Sequence, residues 1–477
     1  MESRRKFLQL SAAALTAAAA KPLMAYGVQG ANDRIRMAII GAGSRGGRVF
    51  DSFARQPDCQ FLAAAEVNKV KLDSFMTPAR QTFNLQVYGD YRRILERKDI
   101  DAVLIATPDH WHSQIMIDAL SAAKDVYVEK PASNTIARVN AMLDAYKKGK
   151  QVVQVGTQQR SWDHFQEAKA FLDGGTLGTI TQVVIVQPGS YARSKEPEQA
   201  VPQGLDWEGF QGPAPRKPFK PSRLGWRAWY DYGGGLVADW GAHHVDVAHW
   251  FMNADGKVPV RTSAAGMFLA VPDADPEQVQ DTFSIAWQYD NFIMTFANAE
   301  VYMDPAQENK LENWGVFFVG TRGSLQVNRQ GWAVRPVVPH VIRKQGPPPA
   351  PTAGGATLGA GGTAIAPGAA GAGQPGAPGA PGMGAGRGGR GGGGGRGGNT
   401  TPVDAKLYIN PRGGVEEDYP LDAHTRNFLD CVKSRKAPVA NMEIGYHSAL
   451  PCLLALESLK EGKPLTWDAT SKRSKTL

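Results

Sequence analysis

Asp239, His243 and Asp246 stand at i, i+4 and i+7 in the stretch Gly233 to Trp250. No proline interrupts Leu236 to Met252, so this run reads as a helix, and the spacing stacks a carboxylate, an imidazole and a second carboxylate on one face. A carboxylate one turn from a histidine can fix its tautomer and raise its basicity, as a general acid or base requires. The plain alternative is a helix with solvated polar residues. Trp240, His244, Val247 and Phe251 fall on another face, and Gly233 to Gly235 read as a mobile approach to the helix. The same three polar residues could serve a metal hydrolase, but there is no open motif such as His-Glu-x-x-His, and no metal is expected.

A second constellation lies near the start of the chain. The apolar strand Arg36 to Ile40 runs into Gly41-Ala42-Gly43-Ser44-Arg45-Gly46-Gly47 and then a helical segment, Arg48 to Arg55. Gly41 permits the tight turn, Gly43 lets backbone approach a pyrophosphate, and Gly46 allows close helix packing. Twenty residues past Gly46 a further strand, Phe61 to Ala65, ends in Glu66, where an acid binds the ribose hydroxyls of a dinucleotide. Glu66 favours NAD by repelling a 2′-phosphate, while Lys69 and Lys71 leave NADP open.

These residues need elements to position them. Helical segments at Lys69 to Arg80, Tyr91 to Arg97 and Ser113 to Ala122 alternate with short strands near Val87, at Ala102 to Ala106 and at Asp125 to Val128. Alternation of this kind makes an α/β fold with a doubly wound parallel sheet over residues 32–154. Its strand ends carry Thr107-Pro108-Asp109-His110-Trp111-His112 and Glu129-Lys130-Pro131, where such sheets bind ligands.

In order and type, the turn at Gly41 to Gly46, Ala106-Thr107-Pro108 with Trp111-His112, Glu129-Lys130-Pro131, and Gly235 with Asp239 and His243 resemble the glucose-fructose oxidoreductase and inositol dehydrogenase family, Gfo/Idh/MocA. The resemblance covers nearly all of the chain from Arg34 onward, apart from one insertion. It implies that Lys130, Asp239 and His243 lie about a nicotinamide and a substrate hydroxyl. It also implies that Ser44, Arg45, Thr107, Trp111, His112 and Glu129 join the three glycines and Glu66 around the cofactor.

Residues 155–341 and 402–477 read as an α+β domain with an open-faced, mainly antiparallel sheet. Ile180 to Gln187 is a strand, and hairpins are expected at Asp281 to Ala299 and Val316 to Val327, with helices at Ala423 to Lys433 and Ile444 to Lys460. In the resembling family this sheet often supports oligomer contacts, so a homo-oligomer is expected. The segment Pro197 to Tyr232 carries Trp207, Trp226 and Trp229, whose rings suit either the apolar face of a sugar or packing. Arg160, at the end of Gly156 to Arg160 by the domain junction, Trp226, His243 and His244 are the residues expected on the substrate.

The net charge of +8 is concentrated in two places. Residues 1–31 hold +3, and Arg387, Arg390 and Arg396 hold another +3 in an acid-free tract, which leaves +2 for the rest and argues against a nucleic-acid partner. Residues 346–399 contain 23 glycines in 54 positions with almost nothing to bury, and read as a disordered insertion. Ser3-Arg4-Arg5-Lys6-Phe7-Leu8 before an alanine-rich run looks like a twin-arginine signal, removed between Ala20 and Ala31 and implying a periplasmic protein. No later run is long enough for a membrane span. With only Cys59, Cys431 and Cys452, the fold depends on an ordinary core.

Together these features indicate an exported NAD(P)-dependent oxidoreductase that oxidises or reduces a secondary alcohol of a sugar or cyclitol, with His243 oriented by Asp239 taking the hydroxyl proton and Lys130 on the alkoxide; since the lysine is the better base in some members of the resembling family, proton transfer is assigned to the pair. Two alternatives are a redox-neutral NAD-dependent glycoside hydrolase working through a transient keto-sugar, and a sugar-binding protein without activity. Export after folding implies a tightly held cofactor loaded in the cytoplasm.

Overall fold

In a computed structural model of the chain, described over residues 34–299, 314–336 and 421–477, six strands form a wholly parallel sheet. They are β1 (Ile35–Ile40), β2 (Cys59–Ala65), β3 (Gln86–Tyr88), β4 (Ala102–Ile105), β5 (Asp125–Val128) and β6 (Val153–Val155). Their order is β3-β2-β1-β4-β5-β6, so the winding reverses between β1 and β4 and opens a crevice at their carboxyl ends. The longer crossover helices are α1 (Ser44–Ala54), α2 (Lys69–Phe75), α3 (Asp109–Ser121) and α4 (Ile136–Lys148), and β3 crosses to β4 through the short turn Arg92–Leu95. The signal of residues 1–31 and the insertion of 346–399 lie outside the described residues.

α1 begins at Ser44, four residues before its expected start, and the helix expected over Tyr91 to Arg97 is a single turn, Arg92–Leu95. Two further helices differ from their expected spans for local reasons. α2 stops at Phe75 because Pro78 forces extended backbone on Thr77, and a separate turn, Pro78–Gln81, follows. α3 begins four residues early, directly after Pro108, which brings Asp109, His110, Trp111 and His112 into its first turn at the crevice.

After α5 (Asp163–Asp173) comes β7 (Ile180–Val186), and then α6 (Gly235–Phe251), one residue from its expected position. β8 (Arg261–Met267), β9 (Thr282–Gln288), β10 (Ile293–Ala297), β11 (Gly315–Gly320), β12 (Gly323–Asn328) and β13 (Gly331–Pro336) follow. The chain ends in α7 (Leu421–Ser434), α8 (Met442–Glu461), β14 (Leu465–Asp468) and β15 (Arg473–Thr476). The second sheet runs β13-β12-β11-β7-β10-β9-β8-β14-β15 and is antiparallel except for β7 beside β10. Both expected hairpins form, β9 with β10 and β11 with β12. Strand β9 alternates exposed and buried residues along its length, so one face of the sheet is open.

α6 packs alongside α8, and every residue of it except Trp240 and Trp250 is buried. The glycines before it are packed rather than mobile: Gly235 has φ +58°, and a Cβ there would sit 2.8 Å from Val279. The sixth strand runs through the point where the sequence divides the domains, and Val155 N donates to Ala440 O at 2.8 Å. α7, expected with the second domain, packs instead on the first sheet. Phe428 meets the rings of Phe53 and Tyr127, and Arg426 and Lys433 both bond to Asp58. All described residues belong to one compact unit, and among them no helix is long and apolar enough to cross a membrane.

Candidate active site

The glycine turn has the shape its residues require. Gly41 takes φ +94°, and a Cβ on it would lie 2.6 Å from Thr107 N; one on Gly46 would lie 2.2 Å from Gly41 O. Gly43 faces open space and caps α1 with no side-chain bond, leaving the first amides of that helix free for an anion. Glu66 is held at the end of β2 by two amides: Ala42 N donates to Oε2 at 2.8 Å and Asn68 N to Oε1 at 3.0 Å. Burial raises its carboxyl above the ordinary value, against those amides. A cavity of about 270 Å³ runs along Gly41, Gly43, Glu66, Lys71, Thr107 and Trp111, and the glycine turn, its free amides and Glu66 along that wall fit the phosphate and ribose of a dinucleotide.

This cavity is roofed by the loop before α6. Lys69 N donates to Gly204 O at 2.8 Å, Asp206 N to Val67 O at 3.0 Å, and the Trp111 indole N–H to Gly209 O at 3.0 Å. Gly212, at φ +48°, lies so near Trp111 that a Cβ would come within 2.0 Å of the ring. Trp207 and Trp229 are buried in a small core with Phe210, Phe219 and Tyr232, so of the three tryptophans in this loop only Trp226 reaches a cavity.

A second cavity of about 260 Å³ continues from the first, sharing Ser44, Arg45, Ala106, Thr107, Trp226 and Arg227. Its far wall carries Lys130, Asp239 and His243. Lys130 Nζ donates to Asp239 Oδ1 at 2.6 Å and to the Asp239 main-chain oxygen at 3.0 Å. The Tyr191 hydroxyl donates to Oδ2 at 2.5 Å, and Arg227 Nε lies 3.2 Å from Oδ1. Burial opposes the charge on Asp239, yet Lys130 and Arg227 outweigh it and hold the carboxyl well below its usual range.

Asp239 therefore does not orient His243. Both its oxygens are committed elsewhere, and His243 Nδ1 is buried without a hydrogen-bond partner among the described residues. Burial, then the nearby cations Lys130, Arg329 and Arg45, push the imidazole far down, so it is neutral.

Other residues expected at the site are placed differently or serve the scaffold. Arg160 is 6% exposed and faces away, with Nε 2.9 Å from Asp246 Oδ2 and a terminal nitrogen 2.6 Å from Asp255 Oδ1. Asp246 shares a helix face with Asp239 but lies two turns, about 10 Å, further along the axis, so the three polar residues of α6 do not converge. His244 is 1% exposed, bonds to Gln187 at 3.0 Å and stacks on Trp240, which itself lines the cavity. His112 lines the cavity but acts as a strut. Its ring nitrogens lie 2.8 Å from Pro131 O and 2.9 Å from Thr107 O, and a neutral ring can donate to only one of them. Glu129 has Arg45 at 2.8 Å from Oε1, although neither carboxylate oxygen receives an aligned hydrogen bond.

Tyr191 sits in an irregular loop and Arg227 in a short 3-10 turn, Trp226–Ala228, neither marked by a motif, and only the folded chain brings them to Asp239. Asp109 was visible within Thr107 to His112 but had no role that spacing could assign.

Comparisons with known proteins agree with this geometry. Residues 35–157 match the family described as "Oxidoreductase family, NAD-binding Rossmann fold", and residues 167–300 match its C-terminal α/β domain. The oxidoreductase YrbE of Bacillus subtilis is 26% identical over 60% of this chain and 71% of its own length. Inositol 2-dehydrogenase of Salmonella typhimurium is 28% identical over 36% of this chain, which spans only 40% of that enzyme. Levoglucosan dehydrogenase, solved with NADH and levoglucosan, superposes with a TM-score of 0.57 at 16% identity, covering 91% of this chain and 99% of that one. With its dinucleotide turn, its lysine-aspartate pair and both domain matches in place, the chain belongs to the Gfo/Idh/MocA family of NAD(P)-dependent oxidoreductases.

Proposed function

We propose that the protein transfers hydride between a retained NAD and a secondary alcohol of a sugar or cyclitol. The observation that carries this reading is the continuity of the dinucleotide cavity with a second one holding Lys130 and a neutral His243. When bound, the nicotinamide supplies the hydride acceptor or donor. Two of the three Lys130 ammonium hydrogens are directed at Asp239, which leaves the third for the substrate oxygen. His243 takes the hydroxyl proton on oxidation, and Lys130 steadies the negative charge that gathers on the oxygen. Arg227 and Tyr191 hold Asp239, and so act on Lys130 at one remove. The rings of Trp226 and Trp240 offer apolar faces to a sugar, in keeping with the inositol and levoglucosan named for two relatives.

Retention of the cofactor is supported by the loop roof over the first cavity. Export is supported by Arg4-Arg5 and the alanine-rich run behind them. Self-association is supported by the open face of the second sheet, where the small residues Thr282, Ser284, Ala286 and Ala265 lie exposed beside Met267 and Ile293.

The test incubates the purified protein with a panel of sugars, cyclitols and glycosides while following nicotinamide absorbance and aglycone release. Cofactor reduction in step with alcohol consumed is the expected result. Aglycone release with no net reduction would make the protein a redox-neutral glycoside hydrolase instead. Sugar binding without either signal would leave it a binding protein.

A further inference from the structure

Three carboxyl groups line the second cavity, and two of them have cations in contact. Asp239 holds Lys130 and Arg227, and Glu129 has Arg45. Asp109 has none among the described residues: no ion pair reaches it, it is 1% exposed, and its Oδ1 is buried without a hydrogen-bond partner. The charged groups on the same cavity wall that act on it are Lys130 from the turn after β5, Glu129 from the end of that strand, Asp239 from α6 and Arg227 from the segment before it. Both cations are already directed at Asp239, and both acids are like charges. An ionised Asp109 would be desolvated with no donor to meet it. The positive end of α3 favours the anion, but by less than the loss of water and of every donor opposes it. Burial, opposed by Lys130 and reinforced by Asp239, accordingly lifts this carboxyl well above its ordinary range.

We propose that Asp109 is a further catalytic residue, a carboxylic acid that donates a hydrogen bond to the substrate oxygen beside Lys130 and across from the base His243. The proposal rests on reading this cavity as the seat of a secondary alcohol. On oxidation the substrate O–H bond breaks and its proton passes to His243. The carbinol hydrogen leaves with its electron pair to the oxidised nicotinamide, and the carbon–oxygen bond becomes double. Asp109 keeps its own proton throughout, and its hydrogen bond tightens as charge gathers on the oxygen. Reduction uses the same contacts in reverse.

Asp109→Asn keeps a neutral donor in place, whereas Asp109→Ala removes it. The expected result is a loss in kcat of about a hundredfold for Asp109→Ala and at least about tenfold less for Asp109→Asn, with the alkaline limb of the wild-type profile gone in Asp109→Asn. Infrared difference spectra of wild type against Asp109→Asn at neutral pH, which require neither turnover nor substrate, are expected to contain the carbonyl stretch of a protonated carboxyl. Equal losses in the two variants overturn the proposal, because a charged carboxylate would then be what matters. A missing acid band in wild type that oxidises an alcohol overturns this proposal alone. An acid band in wild type that oxidises no alcohol overturns the parent reading, and the substrate contact with it.

Discussion

Lys130, from the turn after the fifth parallel strand, and Asp239, from the first half of α6, meet through both the carboxylate and the main-chain oxygen of the aspartate, at 2.6 and 3.0 Å. Two bonds to one residue fix an ammonium in direction as well as position. Lys130→Ala and His243→Ala are therefore expected to lower turnover at least about a hundredfold while leaving dinucleotide binding nearly intact, since neither side chain reaches the cavity around Glu66. Turnover on the true substrate and bound-cofactor stoichiometry check this together.

The depressed pKa of His243 has a sign that can be read in a rate profile. Its ordinary value is near 6.5, and burial and the surrounding cations move it down, so the neutral base persists as pH falls through that value. Oxidation measured as kcat/KM is expected to stay level from pH 8 to below pH 6. A limb centred near 6.5 would mean that His243 is not the base.

Glu66 accepts from two backbone amides, so replacing it removes a charge and also the acceptor of Ala42 N and Asn68 N. Glu66→Ser leaves Lys71 on the same cavity wall and is expected to raise affinity for NADP over NAD by about tenfold, the effect of roughly one close charge contact. Titration of the two dinucleotides against wild type and variant is the measurement.

How much of this was legible from the sequence depends on whether a residue's task is local. Gly41, Gly43, Gly46 and Glu66 answer to backbone geometry within one strand-turn-helix unit, and the chain states that geometry directly. The helix of Asp239 and His243 was legible to within one residue, because a run without proline or break has few other choices. The partners were not. Spacing puts Asp239 and His243 on one face but says nothing of Tyr191 or Arg227, which arrive from an irregular loop and a short 3-10 turn. Arg160 was misplaced for the same reason: a charge beside a domain junction can serve a ligand or a neighbour, and here Asp246 and Asp255 take it.

Gly212 packs its α-carbon against Trp111 where no side chain fits. Wild-type protein is expected to purify with stoichiometric NAD, released only by acid quenching. Gly212→Ala, strained at φ +48° and in contact with the indole, is expected to lift the loop and speed cofactor loss on dialysis by at least about tenfold. Wild type recovered free of dinucleotide would overturn the retained-cofactor reading.

Asp58 ties the first sheet to α7 through Arg426 and Lys433. Burial works against its charge, but those two cations bring its carboxyl down to about 2. A folded value below the unfolded one stabilises above pH 4, and that contribution is lost as pH falls toward 2. Asp58→Asn is expected to cost about 2 kcal/mol at neutral pH, read from denaturant midpoints, and to flatten the acid side of the stability profile.

The two cavities share six residues, and Trp226 and Arg227 among them come from the loop before α6. The wall around the coenzyme is thus written in two distant parts of the gene. An engineer who transplanted a relative's first 150 residues to change coenzyme preference would keep the old roof over the new floor. Residues 204–227 would have to travel with them, and since Arg227 also contacts Asp239, that exchange would reset the chemistry of the alcohol site as well.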